Sequence, residues 1–327
     1  MTNATSMPQV VIVTPALRAE NNGNWQTAWR WQRHLAGVYR ARIVKTWPDT
    51  KAAGDDAMIA LHARRSAAAI AAWSTAHGDR GLALALTGTD LYRDIERDAD
   101  ARHSLERARY LVTLQALGPM ALPPHLRAKA RVIYQSAAAR RPLAKSPRHL
   151  RAVMVGHLRD EKSPETLFAT ARLLASRRDI HLDHIGAGLD PALAEAARST
   201  MAANARYRWF GGLPHEATRR RIQRAHLLIH ASRMEGGAHV IIEAVVSGTP
   251  VLASRIDGNI GMLGDDYAGY FPWGDAPALV ELLVRCREDP AFLPGLMNQC
   301  GNRASRFAPA AERAALATLA QDLLTGS

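Results

Sequence analysis

Short apolar, β-branched runs alternate with helical stretches along the whole chain of 327 residues, and this rhythm constrains the fold most. A run of this length, bounded by polar or glycine-containing loops, is typical of a strand buried on both faces. Strands that alternate with helices build a parallel, doubly wound sheet. In the first half the predicted strands are 9–14, 41–46, 58–62, 82–86, 110–114 and 131–134.

The rhythm stops once and then restarts. Residues 136–150 combine Pro, Ser, Ala and basic residues without apolar periodicity, which indicates a boundary. Beyond it the predicted strands are 152–155, 180–185, 207–210, 227–230 and 251–253. We therefore predict an α/β fold with two Rossmann-like domains that face across a ligand-binding cleft, with C-terminal helices. The predicted parts are a first domain at 1–140, a linker at 141–150, a second domain at 151–305 and a terminal helix at 306–327 that can pack back on the first domain.

Composition excludes several classes of protein. The two cysteines, Cys286 and Cys300, form no CxxC motif, which argues against a disulfide scaffold and a thiolate zinc site. No HExxH pair is present, and we expect no metal. No apolar run approaches the ~18 residues of a membrane span. The first ten residues lack the charged start and apolar stretch of a secretory signal, so we expect a cytoplasmic protein.

Positive charge is concentrated in the first half. The chain has 42 Lys+Arg against 30 Asp+Glu, a net charge of +12. Residues 1–150 contain 22 basic and 11 acidic residues, against 20 and 19 in residues 151–327. This excess is either a solvated basic face or a field that attracts an anion. Nucleic acid is the remote choice, because no zinc finger, basic zipper or RNP-type motif accompanies the charge.

The densest group of candidate residues follows the predicted strand 227–230. Gly236 and Gly237 allow close backbone approach just before a predicted helix, whose free N–H groups suit a phosphate. Glu235 and Glu243 are spaced to hold hydroxyl pairs along one ligand, such as those of a ribose and a hexose. His239, near the helix start, can contact the phosphate or the sugar. The alternative is a capping glutamate and a solvent-facing one.

A second group follows the predicted strand 152–155. Gly156 and a charged loop come next, in which Arg159 and Lys162 can neutralise a diphosphate. Taken alone, this segment also fits an ordinary surface loop.

Together these motifs resemble the donor domain of family 4 glycosyltransferases, which have the GT-B fold. The resemblance rests on their order along residues 151–275, with the first half fitting the acceptor domain. The motifs are Gly156 with Lys162, Gly186 with Gly188, Phe210-Gly211, Glu235 and Glu243 as E-x₇-E, and Gly248-Thr249-Pro250-Val251. His157 stands where relatives usually carry an arginine beside the diphosphate.

Longer phrases resemble a narrower group, the selenosugar synthases of selenoneine biosynthesis. These phrases span nearly the whole chain and include NNGNWQTAWRWQRHLAG, LTGTDLY, GHLRDEKSPETLF and SRMEGGAHVIIEAVVSGTPVLASRIDGNIGMLG. The resemblance implies that selenophosphate and UDP-N-acetylglucosamine are joined to a 1-seleno-sugar, with release of UDP and phosphate. It implies two small-molecule substrates, no cofactor and no nucleic acid, and it leaves the oligomeric state open.

The resemblance also implies roles on the donor side. Lys162 and Arg159, with the N–H groups of Gly236, Gly237 and Ala238, would stabilise the charge that develops as UDP departs. Glu235 would hold hydroxyls of the transferred sugar, and Glu243 the ribose. The further donor-binding residues are Gly156, His157, Gly211, Gly212, Leu213 and His239, with Gly211, Gly212 and Leu213 near the uracil.

The acceptor side is expected in the first domain. A selenophosphate acceptor is already ionised and needs positioning more than a general base. The first loop, Asn21-Asn22-Gly23-Asn24, is expected to offer N–H and amide donors to phosphate oxygens through Asn22, Gly23 and Asn24, with Asn24 as the helix cap. Thr87, Gly88 and Thr89 are expected to line the same site. Asp90 is a candidate catalytic residue, and Asp90 or His62 is a candidate for activating water.

Two alternatives remain beside the nucleic-acid one. An ordinary UDP-sugar glycosyltransferase acting on a hydroxyl shares every donor motif. A dinucleotide-dependent oxidoreductase is disfavoured, because Gly186-Ala187-Gly188 is followed by Pro191 where the third glycine would fall.

Overall fold

The computed structural model describes residues 7–20 and 22–326, so Asn21 of the first loop lies outside the described residues. The chain divides into two units. Unit 1 runs to Gln135 and also takes in the segment that begins at Pro309. Unit 2 is Ser136–Ala308. Both units are parallel sheets wrapped by helices, as the alternating rhythm predicts.

Unit 1 contains a six-stranded sheet in the order β2-β1-β3-β4-β5-β6, with every pair parallel. Val11 pairs with Arg42 of β2 on one side and with Met58 of β3 on the other. The strands are β1 (Gln9–Val13), β2 (Arg40–Val44), β3 (Ala57–Leu61), β4 (Leu82–Ala85), β5 (Tyr110–Thr113) and β6 (Ala130–Val132). The helices are α1 (Gly23–Leu35), α2 (Ala67–His77), α3 (Ile95–Arg97), α4 (Ala99–Arg107) and α12 (Pro309–Thr325), with a π-helical turn at Asp90–Asp94.

Both faces of this sheet are covered by apolar side chains, which explains why its central strands are continuous apolar runs. Trp31 of α1 and Leu316 of α12 pack on one face. Trp73 of α2 and Leu105 of α4 pack on the other.

Unit 2 contains a second parallel sheet, in the order β12-β11-β10-β7-β8-β9. Met154 of β7 pairs with Ile229 of β10 and with His184 of β8, which places β7 and β10 at the centre. The strands are β7 (Leu150–Val155), β8 (Ile180–Ile185), β9 (Tyr207–Trp209), β10 (Leu227–His230), β11 (Val251–Ser254) and β12 (Tyr270–Phe271). The helices are α5 (Pro164–Leu173), α6 (Pro191–Ala203), α7 (His215–Arg224), α8 (His239–Val245), α9 (Asp257–Leu263), α10 (Ala276–Glu288) and α11 (Phe292–Gly301).

The boundary between the units differs from the predicted one. The prediction placed the end of the first domain at 140 and a linker at 141–150, whereas unit 2 begins at Ser136. The backbone explains the difference, because Ala137 N donates to Phe307 O at 3.2 Å and Arg140 N donates to Val246 O at 3.0 Å. The predicted terminal segment 306–327 is divided in the same way: α12 starts at Pro309 and belongs to unit 1.

The first helix also starts differently from the prediction. Its cap is Asn22, not Asn24, and the Asn22 Oδ1 atom accepts hydrogen bonds from the N–H groups of Asn24 and Trp25 at 3.1 and 3.2 Å. Asparagine is well suited to this role, since its side chain satisfies N–H groups that lack a partner within the helix.

The new boundary removes the charge asymmetry. The four basic residues between 136 and 150 belong to unit 2, and α12 adds Arg313, Glu312 and Asp322 to unit 1. Unit 1 then has 19 basic and 13 acidic residues and unit 2 has 23 and 17, so each carries +6. The excess counted in residues 1–150 therefore depends on dividing the chain at residue 150 and does not distinguish the two units.

Across the described residues, no helix combines the length and the apolar character that a membrane crossing requires.

Candidate active site

Two loops of unit 2 carry most of the predicted donor residues, and the order of the strands explains why. β7 and β10 are neighbours, but the chain continues from β7 to β8 on one side and from β10 to β11 on the other. Loops that diverge in this way leave a crevice at the carboxyl ends of the strands, where doubly wound sheets bind ligands. The structure brings Gly156–Lys162, after β7, together with Glu235–Ala238, after β10.

Lys162 and Glu235 form an ion pair at this crevice, in which Lys162 Nζ donates a hydrogen bond to Glu235 Oε1. The two side chains are only 18% and 12% exposed, so water screens them little. Burial alone would raise the pKa of Glu235, but the charge of Lys162 and a hydrogen bond from His230 hold the pKa well below its usual range. Glu235 is therefore an anion at neutral pH and can accept hydrogen bonds from hydroxyl groups.

Two residues that the sequence analysis missed hold Glu235 in place. His230, the last residue of β10, is buried, and its Nε2 atom lies 3.4 Å from Glu235 Oε1. Gly258, near the start of α9, lies so close that a Cβ atom there would overlap the backbone oxygen of Glu235. The signal for His230 was available, since a polar residue at the carboxyl end of a central strand points to a site.

The backbone that carries Lys162 is a tight 3₁₀ turn, Asp160–Lys162. Arg233, from the loop after β10, ties this turn down: its N–H donates to Glu161 O at 3.0 Å, and its guanidinium bonds Asp160 at 2.6 Å. Arg159, just before the turn, is exposed and makes no ion pair within the described part of the chain. Its guanidinium is available to an anionic ligand.

The loop after Glu235 offers a ligand two backbone N–H groups instead of the predicted three. Ala238 N–H points into the interior, where the sulfur of Met262 accepts it at 3.2 Å. The N–H groups of Gly236 and Gly237 make no hydrogen bond among residues 7–20 and 22–326. These two groups remain as donors for a ligand oxygen.

Glu243 lies on α8, the helix that follows the Glu235 loop. Its side chain is buried among three basic side chains. Its Oε1 atom lies 2.6 Å from His215 Nε2, 3.5 Å from His239 Nδ1 and 3.7 Å from Arg219. Burial opposes ionisation, but the hydrogen bonds from His215 and His239 outweigh it and lower the pKa of Glu243 to about 2. The bond to Glu243 in turn raises the pKa of His215, a residue that the sequence analysis did not single out.

His157 follows Gly156 and accepts a hydrogen bond from Ala187 N–H at its Nδ1 atom, at 3.0 Å. Burial, with the charges of Arg159 and Lys162, lowers the pKa of His157, so the ring is neutral at pH 7 and its proton is on Nε2. His157 therefore offers one N–H donor where an arginine would offer a charge.

Two further loops, after β8 and after β9, carry the remaining glycine motifs. A Cβ atom at Gly186 would overlap the backbone oxygen of Gly156, so the loops after β7 and β8 approach each other closely only because this residue is glycine. Gly186 N–H also donates to Gly211 O at 2.8 Å, which links the two glycine motifs. Gly212 is exposed and Leu213 half-buried, and both precede α7 and its His215.

The predicted acceptor residues lie at the carboxyl edge of the sheet in unit 1. Asn22, Gly23 and Asn24 follow β1. The Asn22 side chain and the Asn24 N–H are already used in the cap of α1. Thr87, Gly88 and Thr89 follow β4 and are half-buried.

Asp90 is fully buried, and three hydrogen bonds hold its carboxyl group. It accepts hydrogen bonds from Ala63 N–H at 2.9 Å and from the N–H and hydroxyl of Thr87 at 2.6 and 2.8 Å. His62 lies beside it at φ 74, with its Nδ1 atom 3.9 Å from Asp90 Oδ2. Burial lowers the pKa of His62. Asp90 thus joins the loops after β3 and β4.

No three His, Cys, Asp or Glu side chains gather closely enough to hold a metal ion in the part of the chain that the structure describes.

Comparison with solved structures yields proteins of the same architecture. Sucrose-phosphate synthase from Thermosynechococcus elongatus matches with a TM-score of 0.77 at 18% identity, covering 98% of this chain and 100% of that one. Anabaena HepE, in complex with UDP and glucose, matches with a TM-score of 0.72 at 14% identity, covering 96% and 100%. S. aureus TarM, in a complex that includes UDP, matches with a TM-score of 0.66 at 10% identity over 81% of this chain, which spans 56% of TarM. These likenesses identify the GT-B fold.

Comparison with protein families gives one match, which covers residues 135–307 and therefore more than half of the chain. This segment includes Lys162, Glu235 and Glu243. The chain belongs to the family of glycosyl transferases group 1.

Proposed function

We propose that this glycosyltransferase joins selenophosphate to the anomeric carbon of UDP-N-acetylglucosamine. The bond between C1 and the UDP oxygen breaks, and a C1–Se bond forms. Water then cleaves the Se–P bond, so the products are a 1-seleno-sugar, UDP and phosphate. The Lys162–Glu235 pair supports the donor half of this proposal, which is the binding of a UDP-sugar. The sequence resemblance supports the selenium half, which is the use of selenophosphate as acceptor.

In the proposed donor complex, Lys162 exchanges its partner. In the free protein Glu235 neutralises it, whereas a bound diphosphate offers a doubly charged alternative. Arg159 and the N–H groups of Gly236 and Gly237 add to the charge stabilisation as UDP departs. Glu235, once released, accepts hydrogen bonds from hydroxyls of the transferred sugar.

The nucleotide half of the donor is assigned to the α7–α8 region. Glu243 is ionised and accepts both hydroxyls of the ribose. His215 and His239 hold this carboxylate in orientation. Gly211, Gly212 and Leu213, before α7, are assigned to the uracil.

Selenophosphate is assigned to the carboxyl edge of the unit 1 sheet, near Asn22–Asn24 and Thr87–Thr89. Its selenium is ionised and nucleophilic, so the protein needs to position it rather than deprotonate it. Asp90 is buried and bound to Thr87 by two hydrogen bonds, which suits a supporting role for the Thr87 loop.

A conventional UDP-sugar glycosyltransferase with a hydroxyl acceptor is the alternative, since it needs the same donor residues. Anaerobic incubation with UDP-N-acetylglucosamine, with and without selenophosphate, separates the two by mass spectrometry. We expect a selenium isotope pattern on a hexosamine mass and UDP release only when selenophosphate is present. UDP release without a selenium product would refute the selenium half and leave the donor half.

We also propose that the reaction needs no metal, because Lys162, Arg159 and backbone N–H groups can neutralise the diphosphate. Treatment with a chelator is therefore expected to leave the rate unchanged. A loss of activity that magnesium restores would contradict this part of the proposal.

A further inference from the structure

We propose that Trp273 is a positioning residue for Lys162. The Trp273 indole holds Ser163, the next residue after Lys162, in the backbone conformation that directs Lys162 to Glu235. This inference rests on the proposed function, because it takes Lys162 as the group that stabilises the departing UDP.

Ser163 has an unusual backbone. It lies at φ 47 and ψ 54, in the left-handed region that residues other than glycine rarely adopt. It also precedes Pro164, and the residue before a proline ordinarily prefers extended conformations. Ser163 is buried, ends the 3₁₀ turn that carries Lys162 and starts α5. A change in its dihedral angles would therefore move Lys162 relative to a helix that is fixed in the unit.

A hydrogen bond from a distant part of the chain supports this conformation. Trp273 Nε1–H donates to the Ser163 hydroxyl oxygen at 2.9 Å, across 110 residues of sequence. The hydroxyl itself lies 3.4 Å from Asp160 O, a longer and weaker contact. The indole is thus the strongest side-chain constraint on Ser163 among the described residues.

The indole is itself held by rigid elements. Trp273 lies between β12 and α10, and Asp275, two residues later, caps α10 by accepting the Ala278 N–H at 2.9 Å. α10 packs against α5, the helix that Ser163 starts. The hydrogen bond therefore links the start of α5 to the segment before α10, and these two helices pack against each other. Such supporting contacts keep a catalytic side chain within the small tolerance that charge stabilisation requires.

The turn has other supports. Arg233 fixes Asp160 and Glu161. The Ser163 N–H donates to Asp160 O at 2.9 Å within the turn, and the shortest hydrogen bond to the Ser163 side chain comes from Trp273. The ring is 50% exposed, so a contact with the substrate is the competing explanation for its presence at this edge.

Five variants separate the two explanations. Trp273→Phe removes the N–H donor and keeps an aromatic ring, whereas Trp273→Ala removes the ring as well. Ser163→Gly removes the acceptor but adopts positive φ readily, whereas Ser163→Ala removes the acceptor and retains the steric cost. The fifth is the double variant Trp273→Phe with Ser163→Gly. The readout is UDP release from UDP-N-acetylglucosamine with whichever acceptor supports turnover.

We expect Trp273→Phe and Ser163→Ala to lower kcat by roughly tenfold, as for a small displacement of a charge-stabilising group, with KM for the donor changed by less than about twofold. Ser163→Gly should retain most activity. Adding Trp273→Phe to Ser163→Gly should cost nothing further, because the bond is already absent. Trp29→Phe, at a 42% exposed tryptophan of α1, is the matched control and should match the parent.

An equal loss from Trp273→Phe in the parent and in the Ser163→Gly background would overturn the inference. So would full activity of Trp273→Phe with a loss in Trp273→Ala, which would assign the ring to substrate contact. Should Trp273→Phe fail to fold, judged by thermal unfolding, the comparison of Ser163→Gly with Ser163→Ala decides, and equal rates would overturn the inference. Lys162→Ala separates the two proposals: full activity there refutes the role of Lys162, whereas a loss there with normal Trp273→Phe refutes only the role of Trp273.

Discussion

Lys162 is the single side chain on which the proposed chemistry depends most. Its ammonium pairs with Glu235 in the free protein and is assigned to the diphosphate in the complex. Lys162→Ala should therefore lower kcat/KM for the donor. The loss of transition-state stabilisation should be about 2–4 kcal/mol, the usual effect of removing a charge-stabilising group. Steady-state kinetics at varied UDP-N-acetylglucosamine measures this loss.

Lys51→Ala is the matched control, since Lys51 is an exposed lysine of unit 1. It should match the parent in kcat/KM. Parent-like kinetics of Lys162→Ala would show that Lys162 does not contact the diphosphate.

The His215–Glu243 pair predicts a defined pH dependence of stability. The pKa of His215 is raised in the folded protein, so His215 stabilises the fold fully below pH 6.5, the pKa in the unfolded chain. This stabilisation is lost as the pH rises through the folded pKa. The pKa of Glu243 is lowered to about 2 in the folded protein, so Glu243 stabilises the fold fully above pH 4.5, the pKa in the unfolded chain. This stabilisation is lost as the pH falls toward 2. The pair therefore stabilises the protein most between pH 4.5 and 6.5.

His215→Gln should reduce the free energy of unfolding in that pH window by about 1 kcal/mol or less, because the His215 side chain is 71% exposed and water screens it. Urea titrations at several pH values measure the difference. His103→Gln, at an exposed histidine of α4, serves as the control. A difference that grows as the pH is raised through the folded pKa of His215 would contradict the assigned directions.

At the scale of elements, one buried carboxylate on α12, that of Glu312, binds side chains of α1. Glu312 accepts hydrogen bonds from Arg30 Nε at 3.0 Å and from the Trp31 indole at 2.7 Å, and it lies 3.2 Å from His34 Nε2. Glu312→Ala should lower the free energy of unfolding by about 3–5 kcal/mol, because it leaves a buried charge without its partner. Glu312→Gln should cost less, since the Trp31 donor keeps an acceptor.

Chemical unfolding followed by tryptophan fluorescence tests the role of Glu312. Glu281→Ala, at an exposed glutamate of α10, is the control and should change little. A loss below about 1 kcal/mol in Glu312→Ala would mean that apolar packing alone holds α12.

The strands were the most predictable elements. Buried parallel strands are continuous apolar runs, and the predicted 180–185 and 227–230 coincide with β8 and β10. β12 has only two residues and left no periodic signal. The cap of α1 was misplaced by two positions because Asn22 and Asn24 have the same propensity, and only the backbone geometry selects between them.

The proximity of candidate residues was predictable where a motif lies on a loop at the carboxyl end of a strand. Lys162 and Glu235 were predicted from such loops, and they meet because β7 and β10 are neighbours. The contacts of His215 and Trp273 were not predicted because they join residues 28 and 110 positions apart in sequence, whereas His230 was overlooked although its place at the end of β10 is a signal. Periodicity and local motifs do not encode which distant side chain will support a loop.

At the scale of the whole molecule, charge no longer distinguishes the two units. Each carries +6, because the basic segment 136–150 belongs to unit 2. The charge therefore does not by itself assign the anionic acceptor to unit 1. Both proposed substrates are anions, and a positive field around each unit would raise the association rate of either one.

This even distribution predicts a matched response to salt. Raising KCl from about 0.1 M to 1 M shortens the screening length from roughly 10 Å to 3 Å. We expect kcat/KM for UDP-N-acetylglucosamine and for selenophosphate to fall by similar factors, on the order of two- to fivefold, because the steering field weakens equally around both units. Initial rates at fixed pH, with one substrate saturating and the other varied, give the two factors separately. A fall for selenophosphate alone would place the effective field in unit 1 despite the equal net charges, and a fall for the donor alone would place it at the Arg159–Lys162 loop.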